Sequence, residues 1–356
     1  MIRSRSSMPS ALELARPAYR DISIYAPDRA PCAIDLSDNT SVFGVPPSAL
    51  EELRTTTETT VLRYPALYAD ELKAALAGYV GVSPSEIVTG CGSDDVLDSA
   101  IRAFAEPGDV VATPDPSFVM IPILARMNGL TPVSVPLRAD YDIDVDALLA
   151  TRARIIYICS PNNPTGTLAT SASIRRVLEE APGLVILDEA YAEFSGISCI
   201  TEAARWGRLL VVRTLSKAFG LAGLRVGYAA GATALVAEVE KARGPYKVSS
   251  LAERAALAAL NHDMEWVRSR IDDVVGLRAR FSAELVANGF APLTSHANFL
   301  LVPVARAEDV AAAMRRRGVA VRPMANLPGI GDAVRIGVGP WPMLQSTLDA
   351  LYASVK

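Results

Sequence analysis

Short apolar runs alternate with longer amphipathic stretches between residues 86 and 230. The runs are apolar throughout, as in strands buried on both faces of a parallel sheet, and the stretches between them have helical spacing. Strands that alternate with helices favour an α/β fold in which a mainly parallel sheet is covered on both sides. The seven predicted strands are Glu86–Thr89, Val110–Thr113, Pro132–Val135, Arg154–Cys159, Leu184–Leu187, Leu209–Arg213 and Val226–Ala230, and the helices include Asp70–Val80, Asp94–Phe104, Phe118–Met127 and Ser171–Glu180.

The pattern changes after residue 245, where long helical stretches are followed by three short apolar runs. This order predicts an appended α+β domain. We therefore expect a large α/β domain over residues 46–245, a small C-terminal α+β domain over 246–356, and an N-terminal arm over 1–45 that packs with the small domain. The predicted strands here are Ala33–Leu36, Asn298–Val304, Val319–Arg322 and Val334–Val338, and the helices are Ser249–Leu260, Asp263–Asn288, Ala307–Arg317 and Pro340–Ser354.

The composition is that of an ordinary globular enzyme. The 356 residues carry a formal net charge of −4, with no basic excess that would attract nucleic acid. No apolar run approaches the length that spans a bilayer. His262 and His296 are the two histidines of the sequence, which argues against zinc sites with His ligands and against Ser-His-Asp hydrolysis. The four cysteines are far apart and form no CxxC pair, so we expect reduced thiols in a cytoplasmic protein.

The sequence RTLSKAFGLAGLRVGY, at residues 213–228, contains the most informative side chain, Lys217. Lys217 follows a buried strand and stands among Ala, Phe, Leu and Gly, where poor hydration of an ammonium favours the neutral amine that attacks carbonyl carbons. Arg225 carries a planar guanidinium that is suited to a phosphate. An amine that forms imines, beside a phosphate-binding group, suggests pyridoxal 5'-phosphate (PLP). On this segment alone, a surface lysine in a Gly-rich loop is the alternative.

Two further segments follow predicted strands. GCGSD at residues 90–94 opens a helix, and the free N–H groups of a helix start favour an anion, although many ordinary turns have this composition. SPNNPTG at residues 160–166 lies at the edge where open α/β sheets bind ligands. Asn163 in this segment is held by the next proline and is a donor for a phenolate oxygen, with a plain turn as the alternative.

A carboxylate, Asp188, stands at the end of the apolar strand LVILD, with Tyr191 three residues later. The same pattern describes the Mg-binding strand of P-loop ATPases, but the sequence G-x-x-x-x-G-K-[ST] that these require is absent from the chain. In a PLP site, a buried carboxylate would keep the pyridine nitrogen protonated, so that the ring withdraws electrons. Tyr191 would then hydrogen-bond the phenolate oxygen of the ring.

The motifs SPNNPTG, LDEAY and TLSKAFGLAGLRVGY, in this order, resemble those of fold-type I PLP-dependent aminotransferases of the aspartate aminotransferase superfamily, and among them those of histidinol-phosphate aminotransferases. The resemblance extends from about residue 21 to the C-terminus. It implies the type I PLP-dependent transferase fold, with a large domain and a smaller one. It also implies a ping-pong exchange between an amino donor and a keto-acid acceptor, with histidinol phosphate as the leading primary substrate and glutamate/2-oxoglutarate as the second pair.

The resemblance further implies roles for individual residues toward PLP. Lys217 forms the imine and moves the proton, and Asp188 pairs with the pyridinium nitrogen. Tyr191 and Asn163 hold the phenolate oxygen, and Phe118, which on residue type alone is equally well a core phenylalanine, stacks on the ring. The residues that would hold the phosphate are Gly92, Ser93, Asp94, Thr214, Ser216 and Arg225.

A last group of residues concerns the substrate and the assembly. Tyr64 is expected to reach the phosphate bound by a neighbouring subunit, which implies a homodimer with shared sites. Tyr25, Arg322 and Arg335 are expected to take the anionic groups of the substrates, although a surface ion pair is the alternative for Arg322. We also expect Asn39 to contact the substrate, because it begins the loop that does so in the family.

That loop departs from the family pattern. The family reads N-E-N-P-x-G, whereas residues 39–44 here read NTSVFG, without the acid, the second amide and the proline. The change leaves cofactor chemistry untouched and bears on substrate choice. The alternatives are an aminotransferase for another amino acid in specialised metabolism, or a threonine-phosphate decarboxylase-like enzyme or amino-acid oxidase on the same fold.

Overall fold

The computed structural model describes residues 14–20, 22–24 and 30–355. Its helices are α1 Pro17–Arg20, α2 Pro47–Arg54, α3 Glu58–Leu62, α4 Asp70–Val80, α5 Ser93–Phe104, α6 Met120–Met127, α7 Val145–Ala150, α8 Ser171–Glu180, α9 Thr233–Arg243, α10 Ser250–His262, α11 Met264–Ala287, α12 Ala307–Arg316 and α13 Trp341–Val355. Its strands are β1 Ile34–Asp35, β2 Ile87–Cys91, β3 Val110–Asp115, β4 Thr131–Pro136, β5 Ile155–Cys159, β6 Leu184–Asp188, β7 Leu209–Thr214, β8 Val226–Gly231, β9 Phe299–Pro303, β10 Val319–Ala320, β11 Arg322–Leu327 and β12 Gly331–Gly337.

The central element is a seven-stranded sheet with the order β2-β8-β7-β6-β5-β3-β4. Strands β3 to β7 pair with one another in parallel. Strand β8 is antiparallel to both of its neighbours, β2 and β7. The predicted mainly parallel seven-stranded sheet is therefore confirmed, with each predicted strand within two residues of its observed bounds.

Both faces of this sheet are buried along strands β5 to β8, which explains their largely apolar sequences, whereas the edge strand β4 is mostly exposed or half-buried. Side chains of β5 alternate between two cores: Ile156 and Ile158 pack into one, and Tyr157 and Cys159 into the other. The first core includes buried side chains of α4, α8 and α10, and the second includes those of α5, α6 and α9. The sheet is thus the middle layer of three, as strands alternating with helices predict.

A second, antiparallel sheet follows in the C-terminal part, with the order β11-β12-β9, while β1 of the N-terminal part pairs in parallel with β10. The predicted single strand Val319–Arg322 is wrong, because the chain changes sheets at Val321. Val319 pairs with Ile34 of β1, whereas Arg322 pairs with Arg335 of β12. The β11 strand continues to Leu327 through residues without apolar alternation, so hydrophobic periodicity gave no signal for it.

The two sheets do not by themselves define where one domain ends and the next begins. Helix α10 packs against α2 and α4, whose residues precede the large sheet in sequence. The boundaries at residues 45 and 245 stay a prediction. What positions the candidate site is the shared edge where parallel strands end: Cys159 of β5 lies beside Asp188 of β6, and Thr214 ends β7. Ligands bind at such carboxyl ends in open α/β sheets.

Candidate active site

A cleft of about 610 Å³ opens at the carboxyl ends of β5, β6 and β7. Strands β11 and β12, residues 38–40 and the start of α5 complete its walls. Thirteen of the sixteen residues predicted from the sequence line it: Asn39, Ser93, Asp94, Phe118, Asn163, Asp188, Tyr191, Thr214, Ser216, Lys217, Arg225, Arg322 and Arg335. The convergence of side chains from distant parts of the chain identifies the cleft as the candidate active site.

Lys217 follows β7 and presents its amine to the cleft. Its Nζ donates to the backbone oxygen of Asp38 at 3.4 Å and lies 5.8 Å from the ring centroid of Tyr191. Burial, assisted by the positive charge of Arg335, lowers the pKa of Lys217 to about 8. An appreciable fraction of the amine is therefore neutral near neutral pH, which is the form that attacks a carbonyl carbon.

Asp188 is the last residue of β6, and its side chain is buried. Its Oδ2 accepts from the Tyr157 hydroxyl at 2.7 Å and its Oδ1 from the backbone N–H of Ala190 at 3.0 Å. Burial raises the pKa of Asp188 to about 6, although both hydrogen bonds favour the ionised form. A positively charged N–H group beside this buried carboxylate would stabilise its ionised form. Sequence analysis missed Tyr157, because a tyrosine within an apolar strand gives no sign of what its hydroxyl meets.

Tyr191 is held between an amide and an aromatic ring. Its hydroxyl oxygen accepts from Asn39 Nδ2 at 3.2 Å, and its ring makes an edge contact with Phe299 at a centroid distance of 5.2 Å. Burial raises the pKa of Tyr191 well above its usual range, so the hydroxyl keeps its proton and acts as a donor. Asn39 has φ +59°, a left-handed conformation that asparagine tolerates better than most residues. Its buried Oδ1 has no hydrogen-bond partner among the described residues.

The start of α5 forms a cradle for an anion. Gly92, with φ +81°, precedes the helix, and Ser93 is its first residue, so the free N–H groups of the first turn face the cleft. Nη2 of Arg225 lies 3.5 Å from Asp94 Oδ2, beside the same turn. On the opposite side the Thr214 hydroxyl donates to Ser216 Oγ at 2.9 Å. Backbone N–H groups, hydroxyls and a guanidinium together suit a phosphate.

Replacing Gly92 with alanine is expected to weaken binding of phosphate-containing ligands about tenfold or more, since one charge-assisted contact is worth that much. A Cβ at this position would overlap the guanidinium of Arg225, and its φ is unfavourable for alanine. Equilibrium dialysis with PLP and with inorganic phosphate would measure the change. Gly276→Ala, in α11 with no atom near the added methyl, is the control. Unchanged affinity in Gly92→Ala would contradict the assigned cradle.

Two arginines face the cleft from neighbouring positions of the antiparallel sheet, where Arg322 of β11 pairs with Arg335 of β12. Arg335 Nη1 donates to Asn163 Oδ1 at 2.6 Å, and its Nη2 donates to the Ser37 backbone oxygen at 2.8 Å. Arg335 thus connects the loop after β5, which contains Asn163, with the segment after β1, which contains Ser37.

Three predicted residues do not line the cleft. Gly92 is next to the guanidinium of Arg225, which an added Cβ would overlap, but does not itself line the cleft. Tyr64 is 84% exposed and stacks on Tyr246 at a centroid distance of 5.0 Å. Tyr25 lies outside the described residues. Conversely, the cleft includes residues that sequence analysis did not select, because small, apolar or isolated polar residues carry no motif: Asp38, Thr40, Val119, Met120, Cys159, Ala190, Ala222 and Gly223.

Two other classes of site are absent from the described part of the chain. No group of three or more His, Cys, Asp or Glu side chains is arranged there to hold a metal ion. Within the same residues, no helix combines the length and apolar character required to cross a membrane.

Comparison with known proteins shows the family. Residues 32–351 match the family model of aminotransferase class I and II. The histidinol-phosphate aminotransferase of Caldanaerobacter subterraneus subsp. tengcongensis is 34% identical over 331 residues, covering 91% of this chain and 94% of the relative. That of Methylibium petroleiphilum is 41% identical over 304 residues, covering 83% and 80%. The aromatic amino acid aminotransferase of Mycobacterium tuberculosis is 37% identical over 336 residues, covering 91% and 93%.

Solved structures agree with this relationship. The histidinol-phosphate aminotransferase of Sinorhizobium meliloti, in complex with PLP, superposes with a TM-score of 0.85 at 27% identity, covering 97% of this chain and 98% of that one. The aspartate aminotransferase of Thermus thermophilus, at 21% identity and a TM-score of 0.75, shares the fold. The chain therefore belongs to the class I and II aminotransferases, a family of PLP-dependent transaminases of fold type I.

Proposed function

We propose that the cleft binds PLP covalently through Lys217 and exchanges amino groups between histidinol phosphate and 2-oxoglutarate. The observation that carries this proposal is the meeting, in one cleft, of an amine with a lowered pKa, a buried carboxylate and an anion cradle. Each of the three suits a different part of PLP: the aldehyde, the pyridine nitrogen and the phosphate. When bound, PLP supplies the aldehyde that takes up an amino group and the ring that withdraws electrons from the substrate.

The residues of the chain then have distinct tasks. Lys217 would carry a proton to and from the substrate Cα, which its lowered pKa of about 8 allows. Asp188, oriented by the Tyr157 hydroxyl and the Ala190 N–H, would hold the protonated pyridine nitrogen. Tyr191, whose raised pKa keeps its proton in place, would donate a hydrogen bond to the phenolate oxygen.

Histidinol phosphate is proposed as the amino donor for two reasons. Relatives that cover most of the chain at 34% and 41% identity are histidinol-phosphate aminotransferases. In addition, Arg322 and Arg335 occupy paired positions of β11 and β12 and both line the cleft, where they suit the phosphate of one substrate or the carboxylates of the other. Tyr25 is proposed to assist them, and Asn39 to contact the substrate from the 39–44 loop.

A second candidate donor is an aromatic amino acid. The relative from Mycobacterium tuberculosis named for this activity is 37% identical over a similar share of the chain. Apolar side chains of Phe118, Val119 and Met120 line one side of the cleft and would accommodate a ring of either substrate.

A panel of amino donors tests the proposed substrate. The PLP-loaded protein is mixed with histidinol phosphate, phenylalanine, tyrosine, histidine or glutamate without keto acid, and loss of the cofactor's visible absorption is followed. We expect the highest second-order rate constant with histidinol phosphate, and recovery of absorption when 2-oxoglutarate is added. A higher constant with phenylalanine or tyrosine would assign the second candidate, and release of CO₂ without keto acid would indicate a decarboxylase.

We also propose a homodimer in which Tyr64 reaches the cofactor phosphate of the neighbouring subunit. An exposed apolar patch supports this assembly, formed by Val61, Leu62, Tyr64, Leu67 and Tyr246. The patch lies next to Lys247, which pairs with Asp95 of the cradle helix at 2.9 Å. The four cysteines form no disulfide, which supports a reducing, cytoplasmic location.

Sedimentation velocity tests the assembly. The wild-type protein is expected to sediment as a dimer, and Tyr64→Phe to remain a dimer with weaker binding of PLP, since it keeps the ring and loses the hydroxyl. Tyr352→Phe, at an exposed position on α13, serves as the control. A wild-type monomer with full activity would refute both the dimer and the role of Tyr64.

A further inference from the structure

Asp38 places a carboxylate in the cleft at a position that no motif marked. Its backbone oxygen accepts from Lys217 Nζ at 3.4 Å, and the preceding backbone oxygen, of Ser37, accepts from Arg335 Nη2 at 2.8 Å. Asp38 therefore lies between the reacting amine and an arginine proposed to bind the substrate anion. A side chain at this place lines the cleft in which an amino donor would be bound.

The carboxylate is held in a fixed orientation. Oδ1 of Asp38 accepts from the backbone N–H of Thr40 at 3.2 Å and from its hydroxyl at 2.7 Å. Thr40 itself lines the cleft. A carboxylate oriented by a local turn loses little conformational entropy when it binds a ligand, so its hydrogen bond contributes more to affinity and specificity.

Two of the carboxylates that line the cleft have partners already described: Asp94 pairs with Arg225, and Asp188 accepts from Tyr157. The cleft is also lined by Asp38 and by the two arginines Arg322 and Arg335. The Asp38 carboxylate would repel a substrate whose groups are all anionic, because like charges at close range repel, and so it would weaken the binding of such a substrate. The carboxylate instead suits a substrate that combines an anion with an N–H group.

We propose that Asp38 is a specificity-determining residue that accepts a hydrogen bond from an N–H group on the amino donor's side chain. The inference rests on the proposed function, and for histidinol phosphate the N–H group is that of the imidazole. A phenyl ring in the same place would displace water from the carboxylate and return no hydrogen bond. A second carboxylate there would be repelled.

Matched donors separate this role from general support of the site. The second-order rate constant of the amino-donor half-reaction is measured for histidinol phosphate against phenylalaninol phosphate, and for histidine against phenylalanine, in the PLP-loaded protein. The quantity compared is the ratio within each pair, in which the contributions of the phosphate or carboxylate cancel. Asp38→Asn keeps an acceptor for Thr40 and removes the charge, and Asp38→Ala removes both.

The wild-type protein is expected to prefer the imidazole member of each pair. The ratio should fall about 10- to 100-fold in Asp38→Ala, the range for a hydrogen bond to a charged group, with Asp38→Asn between the two. The rate constant with glutamate should rise in both variants, because a repulsive charge is removed. Asp35→Asn is the control: Asp35 makes the same turn contacts with Ser37, at 3.0 and 2.7 Å, but is exposed and outside the cleft.

Each outcome bears on a different claim. If histidinol phosphate is not turned over but the histidine-to-phenylalanine ratio still falls in Asp38→Ala, the proposed substrate is wrong and the role of Asp38 stands. If both members of each pair lose activity equally, Asp38 supports only Lys217 and the inference is overturned. It is also overturned if the wild-type protein shows no preference for imidazole in either pair.

Discussion

Replacing Lys217 with alanine is expected to reduce the turnover number for transamination by about 10²- to 10⁴-fold, the usual contribution of a positioned proton-transfer group. Among the described residues that line the cleft, Lys217 is the single amine, and its pKa, lowered to about 8, would allow it both to bond the cofactor and to carry the proton. Steady-state rates with histidinol phosphate and 2-oxoglutarate would measure the loss.

The loss can be assigned to the amine rather than to the fold. Lys241→Ala, at an exposed position of α9 paired only with Glu238, should keep wild-type rates. Ethylamine added to the Lys217→Ala protein should restore part of the rate, because a free amine can take over proton transfer. Turnover near that of the wild type in Lys217→Ala without added amine would refute the assignment.

Replacing Asp188 with asparagine is expected to lower the turnover number by about 10²-fold or more, because a fixed charge opposite a developing one is typically worth that much. The substitution keeps an oxygen for the Ala190 N–H and removes the charge that holds a cationic N–H. Tyr157→Phe removes one of the two hydrogen bonds that favour the ionised carboxylate, so it should raise the pKa of Asp188 further and reduce the rate less.

Asp188→Asn is expected to lower the turnover number but to increase the free energy of unfolding of the PLP-free protein. The pKa of Asp188 rises on folding from its ordinary 3.8 to about 6, so the native state binds more protons than the unfolded state between these values. Burial of Asp188 therefore lowers the free energy of unfolding as the pH rises from 3.8 to about 6, and this destabilisation is complete above pH 6. A difference of about two in pKa corresponds to about 3 kcal/mol.

We therefore expect the PLP-free Asp188→Asn protein to be more stable than the wild type at pH 7.5 by about 1–3 kcal/mol, and the two to converge toward pH 4. Denaturant unfolding at both pH values measures the difference. A variant that is both less stable and nearly as active would show that Asp188 has a structural task instead.

How far the site could be predicted from the sequence depended on the kind of residue. Asp188 ends a buried strand, and Lys217 and Asn163 stand within a few residues of the ends of two others. The end of such a strand can be recognised in the sequence as an apolar run followed by polar residues. The seven strands of the large sheet were predictable for the same reason. Strand β11 was not, because it is half-exposed and its residues show no alternation of apolar and polar side chains.

The residues that sequence analysis missed act through contacts made only in three dimensions. Tyr157 looks like any buried residue of β5 until its hydroxyl is found on Asp188. Asp38 lies in a turn whose sequence differs from the family loop, and only the folded chain brings it to Lys217, 179 positions later. Periodicity and motif spacing do not record such contacts, so these residues required the structure.

The covalent bond between Lys217 and PLP is the claim on which the mechanism rests, and reduction with borohydride tests it most directly. The protein is purified with PLP, reduced, digested and analysed by mass spectrometry. We predict a single phosphopyridoxyl group, on the peptide that contains Lys217 and on no other lysine. Finding no modified peptide, or the modification on another lysine such as Lys247, would contradict the account.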